Sequence, residues 1–80
     1  MNTEDPKIKE IELHVKDMFD YHAWDAEQIR LGQLIRVSLA SACELIYMYV
    51  PDCPDRDTAI RKLREVRMDC NSAITHNGKY

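Results

Sequence analysis

Four ring-bearing residues, Phe19, Tyr21, His22 and Trp24, crowd into six positions beside Asp20 and Asp25. A phenol stacks on a flat base while its hydroxyl stays hydrogen-bonded, so Tyr21, with His22 next to it, is a candidate contact for a nucleobase. Phe19 and Trp24 read instead as apolar staples holding the N-terminal segment to the rest of the chain. Further on, Arg36 stands among Leu34, Ile35 and Val37. A guanidinium in such company calls for an internal ion pair, a phosphate to hold, or a base to cover. An aromatic and an arginine at a subunit boundary are the minimum equipment for a small nucleotide. A second basic group, Arg61, Lys62, Arg64 and Arg67, is interleaved with Glu65 and Asp69 and reads first as a solvated face of mixed sign, with phosphate binding as the functional alternative.

Other chemistry is poorly equipped. His14, His22 and His76, like Cys43, Cys53 and Cys70, are scattered without ligand spacing on one helix face, so no metal and no other cofactor is expected. With 2 Gly in the chain no phosphate loop or dinucleotide fingerprint exists, and no nucleophile elbow is present. Asp20 with His22 is the one conceivable hydrolytic couple, and no third group is placed to orient it. Cys43 and Cys70 read as small buried hydrophobes. The expectation is a protein that binds without catalysing.

Composition narrows the class. The chain has 80 residues, 45% hydrophobic and 31% charged, with 3 Pro and 2 Gly, which is the profile of one folded, helix-rich domain. Eleven Lys and Arg against fourteen Asp and Glu give a net charge of −3, which argues against coating long DNA or RNA yet leaves room for a compact ligand with two or three phosphates. Three cysteines, an odd count with no close pair, fit a reducing cytoplasm better than a disulfide scaffold. The segment Met-Asn-Thr-Glu-Asp-Pro lacks the features of a signal peptide, and the longest apolar run, Leu45 to Val50, is too short to span a bilayer. A cytoplasmic protein with no membrane partner is expected.

The elements that must position these groups are helical throughout. Asp5-Pro6 reads as a helix start, and Ile8, Ile11, Val15 and Met18 recur at spacings of three and four up to about Phe19. Asp25 with Gln28 resembles a capping box, and from Ala26 nothing interrupts a helix before Pro51, a length of roughly 37 Å. Pro54, with Asp55 and Asp57 in the first turn, opens a third helix whose seam is expected at Ala59, Leu63, Val66, Cys70 and Ala73, with Gly78 as a left-handed cap. The fold class is therefore all-α, an antiparallel helical hairpin over residues 19–80 carrying an N-terminal arm over residues 1–18. Both long helices have wide apolar faces, and a lone hairpin buries one side of each. That predicts a homo-oligomer, the alternative being a closed three-helix monomer in which the arm covers the hairpin.

From Phe19 to Asn77 the residues resemble the small phage proteins that share the Acb2/Tad1 hairpin domain. The likeness rests on Phe19-Asp20-Tyr21-His22, Gln28, Ile35-Arg36 followed by Ala40, the Pro51-Asp52 turn, Ala59 and Leu63, and the run Met68 to Ile74. The resemblance implies a helical homohexamer that sequesters cyclic oligonucleotide second messengers without cleaving them, an anti-CBASS function exercised in the host bacterial cytoplasm. It implies that Tyr21 stacks on a base of a cyclic dinucleotide and that Arg36, at a position often lysine in relatives, closes the site from a neighbouring subunit. It implies that Ser38 and His76 belong to a separate site for cyclic trinucleotides. His76 falls near a position where relatives carry arginine, and a neutral imidazole is a weaker anion partner. Trp24 lies near a position often occupied by proline. The residues themselves leave a rival open, a helical protein–protein interaction module or small regulatory subunit working through its apolar faces.

Overall fold

The computed structural model describes residues 5–80, so the first four residues of the expected arm lie outside it. Three α-helices follow one another, α1 (Pro6–Phe19), α2 (Ala26–Tyr49) and α3 (Pro54–Thr75), and no strand occurs among the described residues. The chain is all-α.

Local chemistry sets the helix ends. Asp5 accepts from the backbone N–H of Lys7 at 2.9 Å, with Pro6 inside the first turn of α1. At the head of α2 the capping box is complete: Asp25 accepts from Gln28 N at 2.8 Å, and the Gln28 side chain accepts from Asp25 N at 2.9 Å. Pro54 starts α3 without a side-chain cap, since the residue before it is Cys53. At the far end of α3 the expected left-handed Gly78 is preceded by a second left-handed residue. Asn77 and Gly78 both take left-handed backbone, with φ of 52° and 76°, and Gly78 N donates to Ala73 O at 2.9 Å. Two successive left-handed residues turn the chain back sharply, and asparagine and glycine are the types that tolerate it.

Of the three helices, α2 and α3 pack on each other, whereas α1 packs on neither. The head of α2 meets the tail of α3: Gln28 Nε2 donates to Ile74 O at 2.8 Å, and Trp24 Nε1 donates to Thr75 Oγ1 at 2.7 Å. On α2 the half-buried seam runs through Gln28, Ile35, Leu39, Ala42, Cys43 and Ile46, with Gly32 buried. On α3 it runs through Ala59, Ile60, Leu63, Cys70 and Ile74, while Val66 and Ala73 are exposed. The helix is thus rotated from the expected seam toward Ile60 and Ile74, which offer larger side chains than Ala73. Cys43 and Cys70 are half-buried rather than buried, and all three cysteines are free thiols. The connection is braced by Arg56, which reaches Asp52 at 3.1 Å and lies over the Tyr47 ring at 5.2 Å.

Gly32 is the one buried residue described, so the chain alone has no apolar core. Phe19, expected to staple the arm, is 80% exposed. α1 is held near its C-terminal end, through Asp17 bonded to Lys79, Tyr80 and His22 and through His14 against the Tyr80 ring. The membrane expectation rested on the longest uninterrupted run. Taken as a whole helix, α2 (Ala26–Tyr49) has 24 residues and a stretch of mean hydropathy 1.2 with no more than two charges, enough by length and composition to cross a bilayer.

Candidate functional site

Between α1 and α2 residues 21–25 form no regular element, and Tyr21 there is almost wholly in the open, 91% exposed. It borders a hollow of about 590 Å³ shared with Asp20, His22, Trp24, Ile29 and Thr75. Trp24 and Ile29 then form a wall common to the next hollow, about 240 Å³, whose far side is Arg36, Arg67 and Asn71. The same two arginines flank a third hollow of about 200 Å³ in the groove between the long helices, floored by Leu39, Ala40, Cys43, Ile60 and Leu63. Arg64 leads on to a fourth, about 190 Å³, with Arg61 and Tyr47. One continuous face thus carries an aromatic end, an apolar floor and four guanidiniums.

None of these four arginines makes an ion pair among the described residues, whereas Arg30 holds Glu27 at 2.6 Å and Arg56 holds Asp52. The sequence reading took the α3 cluster first as a face of mixed sign. Helical geometry resolves it: a spacing of three keeps Arg61, Arg64 and Arg67 on one flank, while Glu65 and Asp69 are centred about 120° away around the helix. That spacing was a readable signal. What could not be read was that the flank faces the same groove as Arg36.

His22 connects the Tyr21 hollow to a second cluster. Its Nε2 donates to Asp17 O at 2.6 Å, which sets the protonated nitrogen, and its ring meets His76 edge-on with centroids 5.1 Å apart. His76 meets Tyr80 at 4.9 Å, and Tyr80 meets His14 at 5.4 Å. All three histidines, far apart in sequence, therefore stand in one file of rings with Tyr80. Asp17 accepts from Lys79 at 2.7 Å and from the Tyr80 hydroxyl, and these bonds hold its carboxyl down to about 2. The same bonds push Lys79 and Tyr80 upward. No group of three or more His, Cys, Asp or Glu among the described residues has the arrangement to hold a metal ion.

Other expected site residues are separated. Ser38 is exposed on another side of α2 and borders none of these hollows, whereas His76 lines one of about 210 Å³ with Asp17, His22 and Lys79. Ser38 lies ten residues beyond Gln28, which touches Ile74, and so roughly 15 Å along the helix from the His76 end. Within one subunit the two do not meet. Asp20 pairs with Lys16 at 2.8 Å, and no hydrogen bond joins it to His22. The arrangement supplies planes, cations and donors for binding a flat, phosphorylated molecule. Comparisons with family models, with curated proteins and with solved structures found no match to this chain.

Proposed function

We propose that the protein is a non-catalytic, oligomeric sponge for cyclic oligonucleotide second messengers, dinucleotides first and trinucleotides at a separate site, belonging with the phage hairpin-domain proteins it resembles and blocking CBASS-type immunity in the host cytoplasm. The observation that carries this reading is the unpaired arginine strip, Arg36, Arg67, Arg64 and Arg61, continuous with Tyr21 and Trp24 on one face of a chain whose net charge is −3. Guanidiniums left without carboxylates in an acidic protein favour an anionic ligand, and their planar forks match phosphate oxygens. Tyr21 supplies a plane for a base, and Arg36 of a neighbouring subunit neutralises a phosphate. Ser38 and His76, apart in one chain, come within a common site only across subunits.

Assembly as a homo-oligomer of helical hairpins, a hexamer by resemblance, is supported by shape and surface. The radius of gyration is 18.3 Å, against about 12 Å for a compact 80-residue domain. The chain exposes 6674 Å², against about 5,000 Å² for a compact folded monomer of 9.4 kDa. The excess, roughly 1,700 Å², is about twice what one partner buries in a standard interface. A bilayer would cover the same surface, but Arg36 near the middle of α2 would cost about 2.5–3.5 kcal/mol there, and a protein neighbour leaves it free for ligand.

Thermal-shift titration with a panel of cyclic di- and trinucleotides tests the function. The expected result is a concentration-dependent rise in melting temperature with at least one member, and recovery of that ligand intact after incubation. No shift with any member overturns the sponge, and recovery of a cleaved product makes the protein an enzyme.

The exposure of the apolar positions on α1, including Ile11, Val15 and Phe19, favours a second reading, a helical interaction module or small regulatory subunit that docks a protein partner. That reading expects no nucleotide response and an assembly that rearranges when the partner binds.

A further inference from the structure

Near the turn that joins α2 to α3, the hollow of about 190 Å³ is lined by Tyr47, Asp57, Ile60, Arg61 and Arg64. Tyr47 stands 18 residues beyond Ile29, which borders the Tyr21 hollow, and so about 27 Å along α2. That is five turns of helix, beyond the reach of one compact dinucleotide seated on Tyr21. The polar groups of the hollow are open. Asp57 and Arg61 stand four residues apart with the acid first, the order that favours an ion pair on a helix. Just upstream the same spacing is closed, where Asp52 holds Arg56 at 3.1 Å. Yet Arg61 pairs with neither Asp57 nor Glu65, and Arg64 pairs with no carboxylate among the described residues. Arg56 lies over the Tyr47 ring at 5.2 Å, and the tyrosine is still 56% exposed. The geometry points to a second binding site here, for a guanine nucleotide carrying two phosphates. The base stacks on Tyr47 with its edge on Asp57, and Arg61 and Arg64 hold the phosphates.

The carboxylate selects the base. It only accepts hydrogen bonds, through two oxygens side by side. Guanine alone among the common bases offers two adjacent donors on its pairing edge, N1–H and the N2 amine. Adenine and cytosine set a ring-nitrogen acceptor beside the amine, and uracil flanks its one N–H with two carbonyls. Each would turn a lone pair toward Asp57, and a mismatched polar contact in a binding site costs affinity. The Tyr47 phenol gives the base its plane, with the Arg56 guanidinium backing the ring. Arg61 and Arg64 lie about 4.5 Å apart along the axis of α3 and offer one fork to each of two linked phosphates. Because Asp57 lies beyond Arg61 from Arg64, base and phosphates are ordered along α3 with no carboxylate set against a phosphate. Arg64 also borders the groove that leads to Arg36, so the strip has one ligand at each end.

Calorimetric titration with guanosine, inosine and adenosine diphosphates tests the site. Guanosine diphosphate is expected to bind, with the inosine compound, which lacks the N2 amine, about 10-fold weaker and the adenosine compound weaker still. Equal binding of the guanosine and adenosine compounds overturns the guanine assignment, and no binding of guanosine diphosphate at millimolar concentration overturns the site. Asp57→Asn, an exposed change, is expected to lower the affinity for guanosine diphosphate about 10-fold and to erase its advantage over the inosine compound. Arg61→Ala is expected to weaken all three diphosphates alike. Parent-like affinity and preference in Asp57→Asn overturns the base contact, and parent-like affinity in Arg61→Ala overturns the phosphate contact. Tyr21→Ala is expected to bind guanosine diphosphate as the parent does. A loss there would put the nucleotide in the Tyr21 hollow and overturn the second site. The inference does not rest on the cyclic-nucleotide reading: a chain that ignores every cyclic nucleotide yet passes these tests loses that reading and keeps this site.

Discussion

The indole of Trp24 spans 51 residues of sequence to donate to Thr75 Oγ1 at 2.7 Å, and the same ring lies over Gly32. This one side chain ties the aromatic segment to the tail of α3 and fixes the wall between the Tyr21 and Arg36 hollows. A Cβ on residue 32 would sit 2.7 Å from Trp24 Cη2 and nearer still to Cζ3. Glycine is therefore required by contact, in a helix interior where alanine is ordinarily the better residue.

Gly32→Ala is accordingly expected to lower stability by about 1–3 kcal/mol despite its higher helix propensity. Denaturant unfolding of the assembled protein checks this, and Gly32→Ala combined with Trp24→Ala should lose less than the two single changes added together, since the clash disappears with the ring.

Gln28 does two tasks that substitution separates. Its side chain closes the cap with Asp25 N and donates across to Ile74 O. Gln28→Ala removes both and is expected to cost about 1–2 kcal/mol. Gln28→Glu keeps the cap but presents an acceptor to the Ile74 carbonyl, so its melting temperature should fall between those of Gln28→Ala and the parent.

On the binding face, Tyr21→Ala and Arg36→Ala are each expected to abolish stabilisation by the cyclic nucleotide that shifts the parent, with subunit number unchanged. Arg64→Ala and Arg67→Ala are expected to weaken the shift, by about 10-fold in affinity for each charge-assisted phosphate bond lost. A parent-like shift in both Tyr21→Ala and Arg36→Ala would remove these two residues from the site.

The arm should respond to acid. Asp17 is held at about 2 by Lys79 and Tyr80, well below its usual 3.8. A depressed carboxyl contributes its binding in full above its unfolded value and loses it as pH falls from about 4 toward 2. Amide exchange in α1, which has no helical neighbour, is expected to accelerate relative to α2 and α3 over that window. Asp17→Asn should show the accelerated exchange already at neutral pH, and unchanged exchange in that variant would mean the clasp does not hold the arm.

How much of this was legible differs from element to element. Asp5-Pro6, Asp25 with Gln28, and Pro54 announced the three helix starts, because caps are satisfied within four residues and need no tertiary partner. The apolar spacings likewise announced α-helix throughout. The rotation of α3 was not legible: Ala59, Leu63, Val66, Cys70 and Ala73 form as regular a stripe as the one that includes Ile60 and Ile74. Periodicity names the faces of a helix, and packing volume selects among them.

The same division separates the residues of the site. Tyr21 and Arg36 stood out by type and company, and the three-residue spacing of Arg61, Arg64 and Arg67 was present in the chain itself. That α3 turns this flank toward the Arg36 groove, that Thr75 receives Trp24, and that His14, His22 and His76 line up through Tyr80 are consequences of how distant segments meet. Rules at spacings of three and four speak only within one helix. The register and rotation of one helix against another depend on the sum of many small contacts, and no short stretch of residues contains that sum.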